Sequence, residues 1–176
     1  ADGPTLRGFL DDCGAVALIA GPRFERPVSQ AIGTLPDLAL LVVPDPARIE
    51  PVPAHIRALP LATAEAESPE PADAGLVDLD VASIIYTSGT TGRPRGAVLS
   101  HLNLVANTRS IVGYLGLTAA DRVLDVLPFY YVYGKSLLNT HAFAGGSVAV
   151  ENRFLFPNTA LDTLENEACT GFSGVP

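Results

Sequence analysis

The chain has 176 residues, of which 48% are hydrophobic and 17% charged, so it can bury a core and is too apolar to be disordered. Its formal net charge of -8 argues against a nucleic-acid partner, which needs a basic face. No run approaches the roughly 20 apolar residues that span a bilayer as a helix.

Residues 5–12 space Leu6, Phe9 and Leu10 at helical intervals, and Cys13-Gly14 ends that helix. Residues 15–20 form a continuous apolar run of strand length, the pattern of a strand covered on both faces. Gly21-Pro22 breaks the chain, a short helix is expected over 24–32, and residues 38–43 form the next buried strand. Alternation of this kind predicts an α/β fold, a mostly parallel sheet with flanking helices. Residues 1–43 are the α/β start, and residues 44–80, rich in Pro and acidic side chains, read as a connection with little regular structure. Residues 81–176 carry the remainder: strands at 81–86 and 97–99, a helix over 102–115, a turn at 118–121 and a strand over 121–127. The helix over 102–115 has an expected stripe of Leu104, Val105, Ile111, Val112 and Leu115, with Asn107, Thr108 and Arg109 on its polar side. A helix over 136–143, a strand over 147–150, a helix over 159–167 and a last strand over 170–173 complete the pattern.

The most informative stretch runs from Ile84 to Val98. An apolar strand enters a loop of Gly, Ser and Thr that carries Arg93 and Arg95, and an apolar run follows. Gly89 and Gly92 let the backbone approach a ligand, and successive free N–H groups form a concavity for anions. The hydroxyls of Thr87, Ser88, Thr90 and Thr91 can donate to phosphate oxygens, and the two guanidinium groups supply charge. The residues therefore suit a phosphate-gripping loop, and they also suit a plain surface hairpin. Two familiar phosphate loops are excluded. Gly92 is followed by Arg93 and Pro94 rather than by Lys and Ser/Thr, and the Gly89, Gly92, Gly96 spacing is not that of a dinucleotide fingerprint. The setting is strand–loop–strand.

Tyr86-Thr87-Ser88-Gly89-Thr90-Thr91-Gly92-Arg93-Pro94-Arg95-Gly96 closely resembles the signature loop of the adenylate-forming enzymes: acyl- and aryl-CoA synthetases, luciferase and peptide-synthetase adenylation domains. It departs from their pattern at one residue, Arg95 in place of Lys. Ser100-His101-Leu102-Asn103-Leu104 is similar to the family's continuation, and Gly174-Val175-Pro176 to a later motif. Leu127-Pro128-Phe129-Tyr130-Tyr131-Val132-Tyr133-Gly134 resembles the stretch that lines the family's acyl pocket, with Tyr131 where His often stands.

The resemblance implies an ATP-dependent acid–thiol ligase, an AMP-forming synthetase of the kind used in fatty acid metabolism. Such an enzyme joins a carboxylate to ATP as acyl-AMP, releases pyrophosphate and transfers the acyl group to coenzyme A or to the thiol arm of an acyl-carrier protein. It implies nucleotide binding by Thr87, Ser88, Gly89, Thr90, Thr91, Gly92, Arg93 and Arg95. It implies contact with the acid by Tyr130, Tyr131, Tyr133, Gly134 and Gly174. Mg2+ is implied, with its ligands mostly outside this stretch, and no catalytic residue falls within it. The alternative is a module that keeps the phosphate loop for nucleotide binding or interaction without catalysis.

The absence of Met and of the family's later motifs predicts an internal piece of the large N-terminal domain, inactive by itself. No signal-peptide pattern is visible, and a cytoplasmic setting is expected. Cys13 and Cys169 lack metal-ligand spacing, and His55, His101 and His141 are scattered. No protein metal site is expected.

Overall fold

The computed structural model describes residues 2–66, 74–87, 94–152 and 157–174. It divides into two compact units, Ala1–Ala74 and Gly75–Pro176.

The first unit opens with α1 (Gly3–Asp12). Asp2 caps it, its Oδ1 accepting from the Thr5 amide at 3.0 Å, and Pro4 sits in the first turn where no amide is needed. β1 (Ala17–Ile19), α2 (Glu25–Ala31), β2 (Leu40–Val43), β3 (Arg57–Pro60) and α3 (Leu61–Glu65) follow. The three strands are parallel in the order β1-β2-β3, with Leu18 beside Leu41 and Leu41 beside Ala58. Val28 and Ile32 from α2 and the turn after it pack with Leu10, Leu38, Leu41, Val43, Ile49 and Ile56 into one apolar cluster.

Two expectations change here. The Pro-rich stretch carries regular structure, because β3 extends the sheet through it. Among the described residues β3 pairs only with β2, so as an edge strand it tolerates Pro60, which has no amide to donate. β1 is covered on one face only: Leu18 meets the core, while its neighbours Ala17 and Ile19 are exposed.

The second unit contains β4 (Val81–Thr87) and β5 (Arg95–Ser100), joined as an antiparallel hairpin, then α4 (His101–Leu115). Next come β6 (Arg122–Asp125), α5 (Val132–Ala144), β7 (Ser147–Val150), α6 (Pro157–Asn166) and β8 (Gly171–Ser173). β6, β7 and β8 form a parallel sheet in the order β7-β6-β8. The central position of β6 accounts for the burial of Val123, Leu124 and Asp125.

α4 begins with a capping box: the Ser100 hydroxyl accepts from the Asn103 amide at 3.2 Å, and Asn103 Oδ1 accepts from the Ser100 amide at 3.0 Å. It ends at Gly116, whose φ of 64° is the left-handed conformation that favours glycine. Its packed stripe differs from the expected one. Leu104, Thr108 and Ile111 share the inward face, Thr108 is buried, and Val105 is exposed. The turn at 118–121 is held by Asp121, which accepts from the Thr118 amide at 2.8 Å and from the Thr118 hydroxyl at 3.0 Å.

Candidate functional site

The hairpin fixes the mouth of the Gly/Ser/Thr loop. Thr87 and Arg95 are the last paired residues, directly opposite each other. Side chains so placed lie roughly 5 Å apart at Cβ. The side chains of Thr87 and Arg95 therefore leave the hairpin on the same face, at its last pair. Arg95 is exposed and forms no ion pair among the described residues. Ser88, Gly89, Thr90, Thr91, Gly92 and Arg93 lie outside the described residues. Behind the mouth Gly96 stands opposite Tyr86. A Cβ at Gly96 would come within 2.7 Å of Ile84 Cγ2 and 3.3 Å of Tyr86 Cε1, so glycine alone lets these side chains close over the strand.

The aromatic stretch follows the end of β6. The chain turns at Pro128, whose carbonyl accepts from the Tyr131 amide at 2.9 Å, and α5 starts one residue later. Tyr133 and Gly134 are thus helical, earlier than the expected start. Gly134 is buried because a Cβ there would stand 2.7 Å from the Pro128 carbonyl oxygen and 2.9 Å from that of Leu127. Its smallness seats the first turn of α5 against the loop.

Two cavities flank α5. One, of about 360 Å3, lies between α4, α5, β6 and β8, and Tyr114, Tyr133, Leu137, Val123 and Phe172 are among its walls. The other, of about 260 Å3, lies between the hairpin, α4 and α5. Ile85, Leu99, Leu104 and Val132 give it an apolar lining, interrupted by Asn103, Asn107, Asn139 and Lys135. Of the aromatic residues expected to meet the acid, Tyr133 lines the larger cavity. Tyr130 and Tyr131 are exposed and line neither cavity. Gly174 follows β8 immediately and is exposed.

Sequence reasoning missed three polar features. Lys135 donates from Nζ to the Ser83 hydroxyl at 2.7 Å, tying α5 to the strand that leads into the loop. Its signal was available, since it is the only lysine in the chain. Asp125, at the end of the central strand, is buried; Oδ1 accepts from the Leu127 amide at 2.8 Å and Oδ2 has no partner among the described residues. Burial pushes its pKa above the ordinary carboxylate value, with the Leu127 hydrogen bond opposing. An acid inside the apolar run from Val123 to Leu127 was the sign. His141 is buried and structural, its Nδ1 2.9 Å from the Leu137 carbonyl. Asp121 is the opposite of Asp125: the Thr118 amide, then the Thr170 and Thr118 hydroxyls, hold its pKa down.

Among the described residues no three His, Cys, Asp or Glu side chains converge as a metal site. Among the same residues no helix is long and apolar enough to cross a membrane.

Comparison with known proteins gives one consistent result. The AMP-binding enzyme family matches residues 2–176. The chain is 29% identical over 168 residues to the indoleacetate–CoA ligase of Aromatoleum aromaticum, covering 96% of this chain and 32% of that protein. It is 27% identical over 183 residues to a feruloyl-CoA synthase of Amycolatopsis, covering 99% and 37%. Among solved structures, ATP-bound MatB from Rhodopseudomonas palustris superposes with a TM-score of 0.77 at 28% identity, over 97% of this chain and 32% of that one. The chain spans from about a fifth to about a third of the length of the curated relatives it matches. With its signature sequence on a β-hairpin and its parallel α/β architecture, the chain belongs to the AMP-binding enzyme family.

Proposed function

We propose that the protein containing this chain is an AMP-forming acyl- or aryl-CoA ligase. It attacks the α-phosphate of ATP with a substrate carboxylate, forms acyl-AMP, and releases pyrophosphate. The coenzyme A thiol then displaces AMP to give a thioester. Coenzyme A is the acceptor in the names of the indoleacetate and feruloyl relatives; a carrier-protein arm has no comparable support.

The observation that carries this reading is the pairing of Thr87 with Arg95 at the root of the signature sequence. In it, the hydroxyls of Thr87, Ser88, Thr90 and Thr91 and the backbone amides of Gly89 and Gly92 hold the β- and γ-phosphates. Arg93 and Arg95 offset the charge that builds on the leaving pyrophosphate. Phosphoryl and adenylyl transfer depend on positioning and charge neutralisation more than on covalent help from the protein. Arg95 keeps the charge of the family's Lys but presents it as a planar fork, so it fits two phosphate oxygens at once. Mg2+ rides on the nucleotide's phosphates, in keeping with its preference for few protein ligands. Tyr130, Tyr131, Tyr133 and Gly134, around the start of α5, and Gly174, after β8, flank the path of the acid. We place the enzyme in the cytoplasm, where the unpaired Cys13 and Cys169 remain reduced.

The test is acid-dependent ATP–pyrophosphate exchange by the full-length protein, screened over aliphatic and aromatic acids. Arg95→Ala should lower exchange by at least about tenfold, the scale of one lost charge contact to a developing anion. Arg95→Lys should retain most of it. Absence of exchange with every acid would sink the ligase reading. The chain by itself should form no acyl-AMP, and detection of that product from the isolated chain would show it to be self-sufficient.

A further inference from the structure

The smaller cavity contains a cation that no carboxylate among the described residues neutralises. Lys135 is half-buried, and among those residues its Nζ has one hydrogen-bond partner, the neutral hydroxyl of Ser83. An ammonium group has three donors to satisfy. Among the described residues the ion pairs are Arg48 with Glu25 and Arg122 with Glu167, and no carboxylate reaches Lys135. The walls around it are Ile85, Leu99, Leu104 and Val132, and the amides of Asn103, Asn107 and Asn139 open onto the same space. A half-buried charge against hydrocarbon is costly unless an opposite charge joins it. Cation and carboxamide donors in one cavity suit a carboxylate.

The cavity is also well placed. Ile85 is on β4, two residues before Thr87 at the root of the loop. Ser83 is four residues before Thr87, so the lysine head lies roughly 13 Å along the strand from the loop mouth at about 3.3 Å per residue.

We propose that this cavity receives the far end of the substrate acid and that Lys135 pairs there with a second carboxylate, making the substrate class an α,ω-dicarboxylic acid. This rests on the ligase reading above. One carboxylate is activated beside the phosphate loop, and the other is anchored by Lys135 with help from the asparagine amides. The length of β4 between Ser83 and Thr87 selects acids with several carbons between the two groups over oxalate-sized ones. Ser83 orients the ammonium and acts as a positioning residue.

The experiment uses the full-length enzyme and pairs of acids matched in length, dicarboxylate against monocarboxylate, from three to twelve carbons. ATP–pyrophosphate exchange gives kcat/KM for each. The wild type should favour the dicarboxylate by about tenfold or more once the spacer is long enough, the scale of a buried charge pair. Lys135→Met should bring the ratio close to unity, chiefly through KM for the dicarboxylate, because binding of the far end is shared by ground and transition states. Lys135→Arg should keep a clear dicarboxylate preference, and so should Ser83→Ala, which leaves the charge in place. Equal or better use of monocarboxylates by the wild type overturns the proposal. So does Lys135→Met lowering both classes alike, which would mark the lysine as a strut between α5 and β4. If Lys135→Met does not fold, the wild-type ratio and the Lys135→Arg and Ser83→Ala variants decide. Exchange with monocarboxylates only would leave the ligase reading standing while this inference falls, whereas exchange with no acid removes both.

Discussion

The two units of the chain are built from similar elements but bury different things. Twelve of the sixteen buried hydrophobic side chains among the described residues belong to the first unit. All five buried polar or charged ones, Thr108, Asp125, Thr140, His141 and Glu151, belong to the second. Burying a polar group costs free energy unless it finds partners; Thr140, His141 and Glu151 have them, whereas Asp125 leaves Oδ2 without one among the described residues. The first unit is a hydrocarbon scaffold. The second holds the hairpin, the two cavities beside α5 and the buried Asp125 carboxylate.

Substitutions in the two units should therefore differ in kind. Leu38→Ala in the first unit removes a side chain with no exposed surface and should cost about 2–5 kcal/mol in chemical denaturation. Hydrogen exchange read by segment should show the loss in β1, β2 and β3; a loss spread evenly over both units would break the contrast. In the second unit, Gly134→Ala drives a Cβ into the Pro128 carbonyl and should cost about 1–3 kcal/mol by the same measurement. It should also shift the start of α5, so acid-dependent exchange in the full-length enzyme should fall with it. Ser100→Ala removes half of a capping box and should cost about 1 kcal/mol, with fraying of the first turn of α4 visible in amide exchange.

The smallest effect is the most diagnostic. Asp125 has a raised pKa because burial disfavours its charged form. Above the ordinary carboxylate pKa the folded state then binds more proton than the unfolded state. Stability consequently falls as pH rises from that value through the raised one. Asp125→Asn keeps an acceptor for the Leu127 amide and has no charge to bury. Denaturation at several pH values between about 4 and 8 should show the wild type losing stability relative to the variant as pH rises. Parallel curves would mean that the Asp125 carboxylate is stabilised in a way its surroundings do not reveal.

Much of the architecture was legible in local pattern. The apolar runs around Leu41 and Leu124 became β2 and β6, central and buried, because continuous hydrophobicity has few other uses at strand length. The helix expected over 102–115 appears as α4, because its ends at Ser100 and Gly116 are set by capping chemistry among a handful of adjacent residues. What was not legible depended on distant partners. β3 looked irregular because its Arg57 and Pro60 are poor strand residues; pairing with β2 overrides that local preference. Thr108 looked like a surface residue of α4 because its burial is imposed by what packs on that face. Of the candidate site, the loop signature announced itself, whereas Lys135 gained meaning only when Ser83, 52 residues away in sequence, was found beside it.

The register of the second sheet has one more effect. Asp125 pairs with Val150 on one side and with Ser173 on the other, so three strands end at the same level. The segments that follow them, though far apart in sequence, start from a common rim. Changes of length or side chain in any of them can alter what is held at that rim without disturbing a single strand pairing. A chain built this way can keep its scaffold unchanged while the residues at that rim drift, so related chains should diverge at the rim much faster than in shape.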